Sequence, residues 1–188
     1  CIAGVTGWVG SALTKAVYQA EGMVLSGAVS RSGKGKTVQD VLGLKDADIV
    51  ISGSVNEALQ TSCDVMVEFT KPDVAKQNIF SALDSGVHVV VGTSGITDED
   101  YADIHEKAKE KNLGVLAAGN FALTAVLLQK FSKMAAAYIP HWEIIDYASS
   151  GKADVPSGTA LELANLLGSI RESSLDIPTD QLHGPKET

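Results

Sequence analysis

Cysteine is nearly absent. Cys1 and Cys63 are the only two in 188 residues, and they lack metal-ligand spacing. Neither a disulfide framework nor a bound metal is expected, and the pair fits a reducing, cytoplasmic setting. Positive charge is scarce too: 15 Lys and Arg stand against 23 Asp and Glu, a net charge of -8. With no basic stripe interleaved with aromatics, nucleic acid is not expected as a partner. The one local basic cluster is Arg31, Lys34 and Lys36. Long apolar runs are missing, and none approaches the roughly 20 residues that span a bilayer, so no membrane partner is expected. The opening CIAGVTGWVG breaks into glycines with no basic leader, unlike a signal peptide. Internal repeats and low-complexity tracts are absent. Both ends read as cut: only Cys1 to Ala3 precede Gly4, where a first strand takes about five or six residues, and HGPKET closes in polar loop sequence. The expectation is a segment of a longer protein.

What is there is a 45% hydrophobic fraction, ordinary for a soluble globular chain with a real core. Strand and helix patterns alternate along it. Residues 23–31, 63–70, 87–95 and 113–121 read as strands. The run CDVMVEFT is almost continuously apolar, as in a parallel strand covered on both faces. Residues 11–22 carry helical spacing at Leu13, Val17 and Ala20. Residues 71–86 read as a helix closed by Gly86. Residues 97–112 read as another, acidic in its first turn and basic in its last, as the helix dipole favours. This alternation predicts an α/β fold with a doubly wound parallel Rossmann-type sheet. The pattern changes after Phe121. A long apolar-faced helix (122–139), a strand (WEIIDYAS) and a loop leading into a helix at Ser157 follow. The expected division is a dinucleotide-binding domain over 1–121, then the start of an α+β substrate-binding and oligomerisation domain over 122–188, incomplete at its C-terminus.

Four motifs carry chemistry. GVTGWVG places Gly4, Gly7 and Gly10 at a strand-to-helix turn, with Thr6, Trp8 and Val9 between them. Glycines there let backbone approach a pyrophosphate, and the helix start offers N–H donors to it. Such turns also serve packing; the position near the start of an α/β domain favours the dinucleotide. The second strand ends AVSRSGKGK, with no acid for ribose hydroxyls. Arg31, with Lys34 and Lys36, is placed to hold a 2′-phosphate instead, which points to NADPH and leaves NADH open. Glu68-Phe69-Thr70 and Gly92-Thr93-Ser94-Gly95 end two parallel strands, the edge where such sheets bind ligands. Last, Ser157, Gly158 and Thr159 start a helix whose N–H groups suit a carboxylate, with Lys152 upstream as a charge or proton donor. Local sequence alone leaves this equally open to a capped helix beside a solvated lysine.

These motifs, in this order, resemble the 4-hydroxy-tetrahydrodipicolinate reductase (dihydrodipicolinate reductase) family. The G-x-x-G-x-x-G is Gly4, Gly7 and Gly10; the Phe-Thr is Phe69-Thr70; the G-T-T-G is similar to Gly92-Thr93-Ser94-Gly95; the Asn-Phe at the domain junction is Asn120-Phe121. The most specific motif, K-x-D-x-P-S-G-T, is Lys152, Asp154, Pro156, Ser157, Gly158 and Thr159. The resemblance implies an NAD(P)H-dependent oxidoreductase of lysine and diaminopimelate biosynthesis. It would reduce 4-hydroxy-tetrahydrodipicolinate, a small dicarboxylate, with loss of water. Lys152 would be the proton donor, and Gly158 and Thr159, with Ser157 and Asn120, would bind the substrate. Phe69 and Thr93 would contact the nicotinamide end, with Thr70, Gly92, Ser94 and Phe121 about the cofactor. A homotetramer is the family's usual assembly.

Two departures stand out. The family's histidine pair before the lysine is replaced by Ala148 and Ser149, and Tyr147, Ser149 or Ser150 would take over substrate hydrogen bonds. Trp8 stands where the family often has a basic residue; its bulk would shield the cofactor or pack. His88, His105, His141 and His183 are expected to be structural. The departures keep two alternatives open: an NADP-dependent reductase of a different imine or carbonyl acid, and a non-catalytic nucleotide-binding homologue.

Overall fold

A computed structural model describes residues 1–147 and 155–174. Six strands, Ile2–Ala3 (β1), Ala28–Val29 (β2), Ile51–Ser52 (β3), Val65–Glu68 (β4), His88–Val91 (β5) and Val115–Ala117 (β6), form one parallel sheet in the order β3-β2-β1-β4-β5-β6. Five helices connect them: Trp8–Gln19 (α1), Val38–Leu42 (α2), Val55–Ala58 (α3), Pro72–Asp84 (α4) and Asp98–Lys111 (α5). The chain steps outward from β1 to β3, then returns across β1 to β4. The reversal opens a crevice at the carboxyl ends of the strands.

Consecutive strand residues face opposite sides, so each strand feeds two cores. Ala3, Met66, Val89 and Val91 pack with Ile79, Leu83 and Ile104 of α4 and α5. Ile2, Val5, Ala28 and Ile51 pack with Val38 of α2 and with Leu13 and Val17 of α1. The acidic start of α5 is a reciprocal cap between Thr97 and Asp100, and Asn112 ends the helix in the left-handed region. Lys76 on α4 reaches Asp100 at 2.9 Å and Asp103 at 2.6 Å on α5, tying the two helices side by side.

The four strands expected before residue 122 exist but are shorter than their apolar patterns, because a ladder forms only where a partner runs alongside. β3, α2 and α3 have no counterpart in the sequence reading. At two to five residues they are too short for periodicity to register, although Thr37 and Asp40 form a capping box that the spacing spells out.

The first compact unit is Cys1–Ala118, and a second starts at Gly119, just ahead of the boundary expected at Phe121. Asn120 belongs with the second unit because its side chain bonds Thr159 there. In that unit Leu123–Ala136 (α6) and Gly158–Gly168 (α7) pack through Ala136, Leu163 and Leu167, with Trp142 and Ile144 against them. The strand expected from Trp142 is not formed over residues 142–147. Its alternation of apolar residues is real, but no strand lies beside it among the described residues. The Trp142 N–H instead donates to Ser173 Oγ at 3.1 Å, and the Ser173 hydroxyl donates to the Trp142 carbonyl at 2.7 Å. No helix among the described residues is long and apolar enough to cross a membrane.

Gly10 sits inside α1 with a Cβ position that would overlap the Gly4 carbonyl. Gly10→Ala is expected to cost roughly 1–3 kcal/mol of stability, read as a lower urea midpoint. Gly168→Ala, which has open space around the added methyl, should not lower it.

Candidate functional site

The turn after β1 is built by what its glycines omit. Gly4 has φ +96, and a Cβ there would overlap the Phe69 carbonyl at the end of β4. The Gly7 N–H donates to the Gly4 carbonyl at 2.9 Å and closes the turn, and Gly7 is the N-cap of α1 without a side-chain cap. The first N–H groups of a 12-residue helix therefore lack side-chain acceptors beside the crevice, the arrangement that suits a phosphate. Gly10 does not line the crevice; its missing side chain lets α1 lie on the turn. Trp8, 97% exposed, neither packs nor lines it, and Val9 is exposed on the same first turn.

The crevice is a cleft of about 450 Å³. Gly4, Thr6 and Gly7 form its floor, Val29 to Ser32 one wall, and Phe69 to Lys71 with Asn78 the other. The first wall is lined with hydroxyls. Thr6 Oγ1 lies 2.7 Å from Ser30 Oγ and 3.2 Å from Ser32 Oγ, and the two serine oxygens are 3.2 Å apart. Ser30 occupies the place where an acid would bind ribose hydroxyls. Of the three expected cations, Arg31 lines the cleft. Lys34 pairs with Glu57 at 3.1 Å instead, and Lys36 is exposed outside the cleft. The Gly53 N–H and then Lys34 hold the Glu57 carboxyl below the usual carboxylate range.

The opposite wall rests on a residue that the sequence reading placed at the ligand-binding edge without giving it a role of its own. Glu68, the last residue of β4, is fully buried. Its carboxylate accepts from the Thr70 N–H (2.8 Å), from Asn78 Nδ2 (3.0 Å) and from the Thr93 hydroxyl (3.3 Å), and from the Thr70 hydroxyl in a short contact. Burial pushes this carboxyl above its ordinary value, and the hydrogen bonds from Thr70, Asn78 and Thr93 partly offset the shift. The strands β4 and β5 are thus joined beyond their ladder. Gly92 allows the Phe69 ring to lie where a Cβ would otherwise be, and Thr93 is buried beneath Thr70 while Ser94 is exposed. Besides its place at the strand end, the hint in the sequence was an acid inside the apolar run CDVMVEFT, where burial is costly unless the group is bonded.

In the second unit the expected residues gather at the start of α7. Ser157 caps the helix, its Oγ accepting from the Ala160 N–H at 3.2 Å. The Ser157 N–H donates to Asp146 Oδ2 at 2.7 Å, a role for Asp146 that the sequence reading missed. Asn120 Nδ2 donates to Thr159 Oγ1 at 3.1 Å, while its Oδ1 accepts from the Ala122 N–H at 2.8 Å. Phe121 is about half exposed. Lys152, Ser149, Ala148 and Ser150 lie outside the described residues. His88 has a structural bond, its Nδ1 accepting from the Gly114 N–H at 2.8 Å, and His141 is joined to the Ser174 carbonyl.

A parallel sheet that reverses at β1, with its cleft over the reversal and a glycine turn below, has the fold of Rossmann-type nucleotide-binding domains. The chain belongs to the dihydrodipicolinate reductase family. Residues 1–121 match the family model for "Dihydrodipicolinate reductase, N-terminus" and residues 124–186 that for "Dihydrodipicolinate reductase, C-terminus". Similar curated proteins include the 4-hydroxy-tetrahydrodipicolinate reductase of Halalkalibacterium halodurans, 38% identical over 92% of this chain and 66% of that one. The enzyme of the same name from Bacillus licheniformis is 39% identical over 92% of this chain and 64% of its own. The chain thus spans just under two thirds of the length of these relatives. Among solved structures, a dipicolinate-bound dihydrodipicolinate reductase from Paenisporosarcina sp. TG-14 matches with TM-score 0.72 and 29% identity, covering 100% of this chain and 69% of that one. An amine dehydrogenase from Mycobacterium smegmatis, at TM-score 0.55 and 22% identity over 69% of this chain and 42% of that one, shares the fold alone.

The raised pKa of Glu68 has a testable sign. Above the ordinary value near 4.5 the unfolded chain releases this proton before the folded one does. The stability that the neutral, buried carboxyl contributes is present in full below that value and is lost as pH rises through the folded pKa. Glu68→Gln stays neutral throughout. The stability of wild type relative to Glu68→Gln, from urea midpoints, is therefore expected to fall as pH rises above about 4.5. A difference that does not change with pH would mean that this carboxyl titrates alike in both states.

Proposed function

We propose that the whole protein catalyses the NADPH-dependent reduction of 4-hydroxy-tetrahydrodipicolinate to tetrahydrodipicolinate, with loss of water, in lysine and diaminopimelate biosynthesis. The observation that carries this reading is the K-x-D-x-P-S-G-T run from Lys152 to Thr159, whose last three residues start α7 in a chain of this family. The cleft of the first unit fits the cofactor: side chains are missing at Gly4 and Gly7, and the N-terminus of α1 has no side-chain cap. A bound nicotinamide supplies a hydride. Gly7 and the α1 N–H groups would hold the pyrophosphate, and Phe69, Thr70, Gly92 and Thr93 would bound the nicotinamide end. Preference for NADPH is read from Ser30 in place of an acid and from Arg31 beside it, which would pair with a 2′-phosphate.

In the second unit, the N–H groups of Gly158 and Thr159 suit a substrate carboxylate, with Asn120 fixing the Thr159 side chain. Lys152 would donate the proton that balances hydride delivery. The reading as a cytoplasmic homotetramer comes from the family resemblance, and the free thiols of Cys1 and Cys63 accord with a reducing compartment. Ala148 and Ser149 favour one second reading, a different cyclic imine or carbonyl acid as substrate.

Freshly made 4-hydroxy-tetrahydrodipicolinate should drive NADPH oxidation by the full-length protein, and Lys152→Ala should lower kcat by about 100-fold or more. NADPH binding without turnover would move the substrate to the second reading. Arg31→Ala is expected to raise the KM for NADPH roughly tenfold while leaving that for NADH nearly unchanged. Equal losses for both cofactors would remove the 2′-phosphate argument.

A further inference from the structure

Glu68 is a costly residue to bury. Among the described residues no cation bonds it: its four donors, the N–H and O–H of Thr70, the O–H of Thr93 and Nδ2 of Asn78, are all neutral. Satisfying backbone does not explain it, because the Thr70 N–H has a second acceptor in Thr93 Oγ1 at 3.0 Å. An apolar side chain would fill the end of β4 at lower cost. What a carboxylate does, and an apolar residue cannot, is orient hydroxyls. A threonine hydroxyl has one hydrogen and two lone pairs, whereas a carboxyl oxygen that bears no proton, as Oε1 with three donors on it does not, only accepts. The Thr70 hydrogen is therefore drawn inward to the Glu68 carboxyl, the Thr93 hydrogen is shared between that carboxyl (3.3 Å) and the Glu68 backbone carbonyl (3.4 Å), and Thr93 Oγ1 gives a lone pair to the Thr70 N–H. Thr70 lines the cleft, and although Asn78 Nδ2 donates to its oxygen at 3.5 Å, a second lone pair is left there as an acceptor.

A dinucleotide in a sheet of this order lays its adenosine half over β1 to β3 and its other half over β4 to β6. Resting on the NADPH reading of the cleft, we propose that Glu68 is a positioning residue for the nicotinamide half, acting through Thr70 and Thr93. By consuming the Thr70 hydroxyl hydrogen, with Thr93 holding the Thr70 N–H from beneath, it leaves the Thr70 oxygen on that wall as an acceptor, matched to the N–H₂ of a carboxamide. It also ties the end of β4 to the end of β5, so that the surface is rigid before the cofactor arrives. Arg31 and the Thr6–Ser30–Ser32 hydroxyls stand on the other side of β1 and do not depend on it.

The test measures direct binding to the full-length protein by three probes. NADPH carries both halves. Adenosine 2′,5′-bisphosphate carries only the phosphorylated adenosine half. The 3-acetylpyridine analogue of NADPH lacks the amide N–H₂. Glu68→Gln is expected to weaken NADPH about tenfold, to leave the bisphosphate within about twofold, and to abolish the preference of wild type for NADPH over the analogue. Thr70→Val, which leaves the carboxylate its donors from Thr93 and Asn78, should give the same selective loss and serves if Glu68→Gln does not fold. Equal weakening of NADPH and the bisphosphate would assign Glu68 a structural role only and overturn the proposal. So would an unchanged preference over the analogue. Wild type that binds neither NADPH nor the bisphosphate would overturn the cofactor reading itself, and is distinguishable because no variant enters that comparison.

Discussion

At Gly4 three stretches of backbone meet with no side chain between them. Its carbonyl faces the Cα of Gly10 on α1, and its own Cα faces the Phe69 carbonyl at the end of β4. A single methyl group at either glycine would force α1 off the sheet or β1 away from β4, because protein interiors are too densely packed to absorb it. The contact therefore sets where α1 begins and how the crevice opens. It places the uncapped N–H groups of the helix beside a gap of the right size for a nucleotide. Residues as far apart in sequence as Thr6, Arg31 and Thr70 become walls of one cleft because of it.

The two walls of that cleft are chemically unlike. Three hydroxyls and Arg31 line the side near β2, a surface able to donate to or accept from sugar and phosphate. The side near β4 is anchored on an inaccessible carboxylate that dictates the orientation of the threonines above it. In the proposed reading this division follows the asymmetry of a dinucleotide, whose halves differ in charge and hydrogen bonding. Glu68 illustrates how a fold sustains an unpaired acid: four neutral donors converge on it, while burial still holds its proton more firmly than in water. The second unit uses a simpler device. Asp146, Ser157, Thr159 and Asn120 bond the chain around the start of α7, so the helix terminus is held by a small polar network.

Much of this was legible in the residues. Apolar spacing announced α1, α6 and α7, a closing glycine α4 and an acid-to-base charge gradient α5, because over ten or more residues such signals accumulate within the helix itself. The parallel sheet followed from alternation of elements, and the tight turn after β1 from three glycines at fixed spacing. Less legible was anything short or dependent on a partner. β3 has two residues, and Trp142 to Tyr147 has the pattern of a strand without a ladder among the described residues. The three cations after β2 read alike in sequence, yet only Arg31 lines the cleft, since Glu57 from α3 takes Lys34.

What the sequence determined by itself was local chemistry: which backbone could lack a Cβ, which turn could cap a helix, which residue types could face an anion. Those depend on neighbours a few positions away. What only the tertiary structure decided was which of these groups meet. Glu68 and Thr93 are bonded because β4 and β5 lie side by side, and Asn120 reaches Thr159 because α7 folds back beside it. Hydrogen bonds and burial act over a few ångströms, and only the folded chain brings residues distant in sequence within that range.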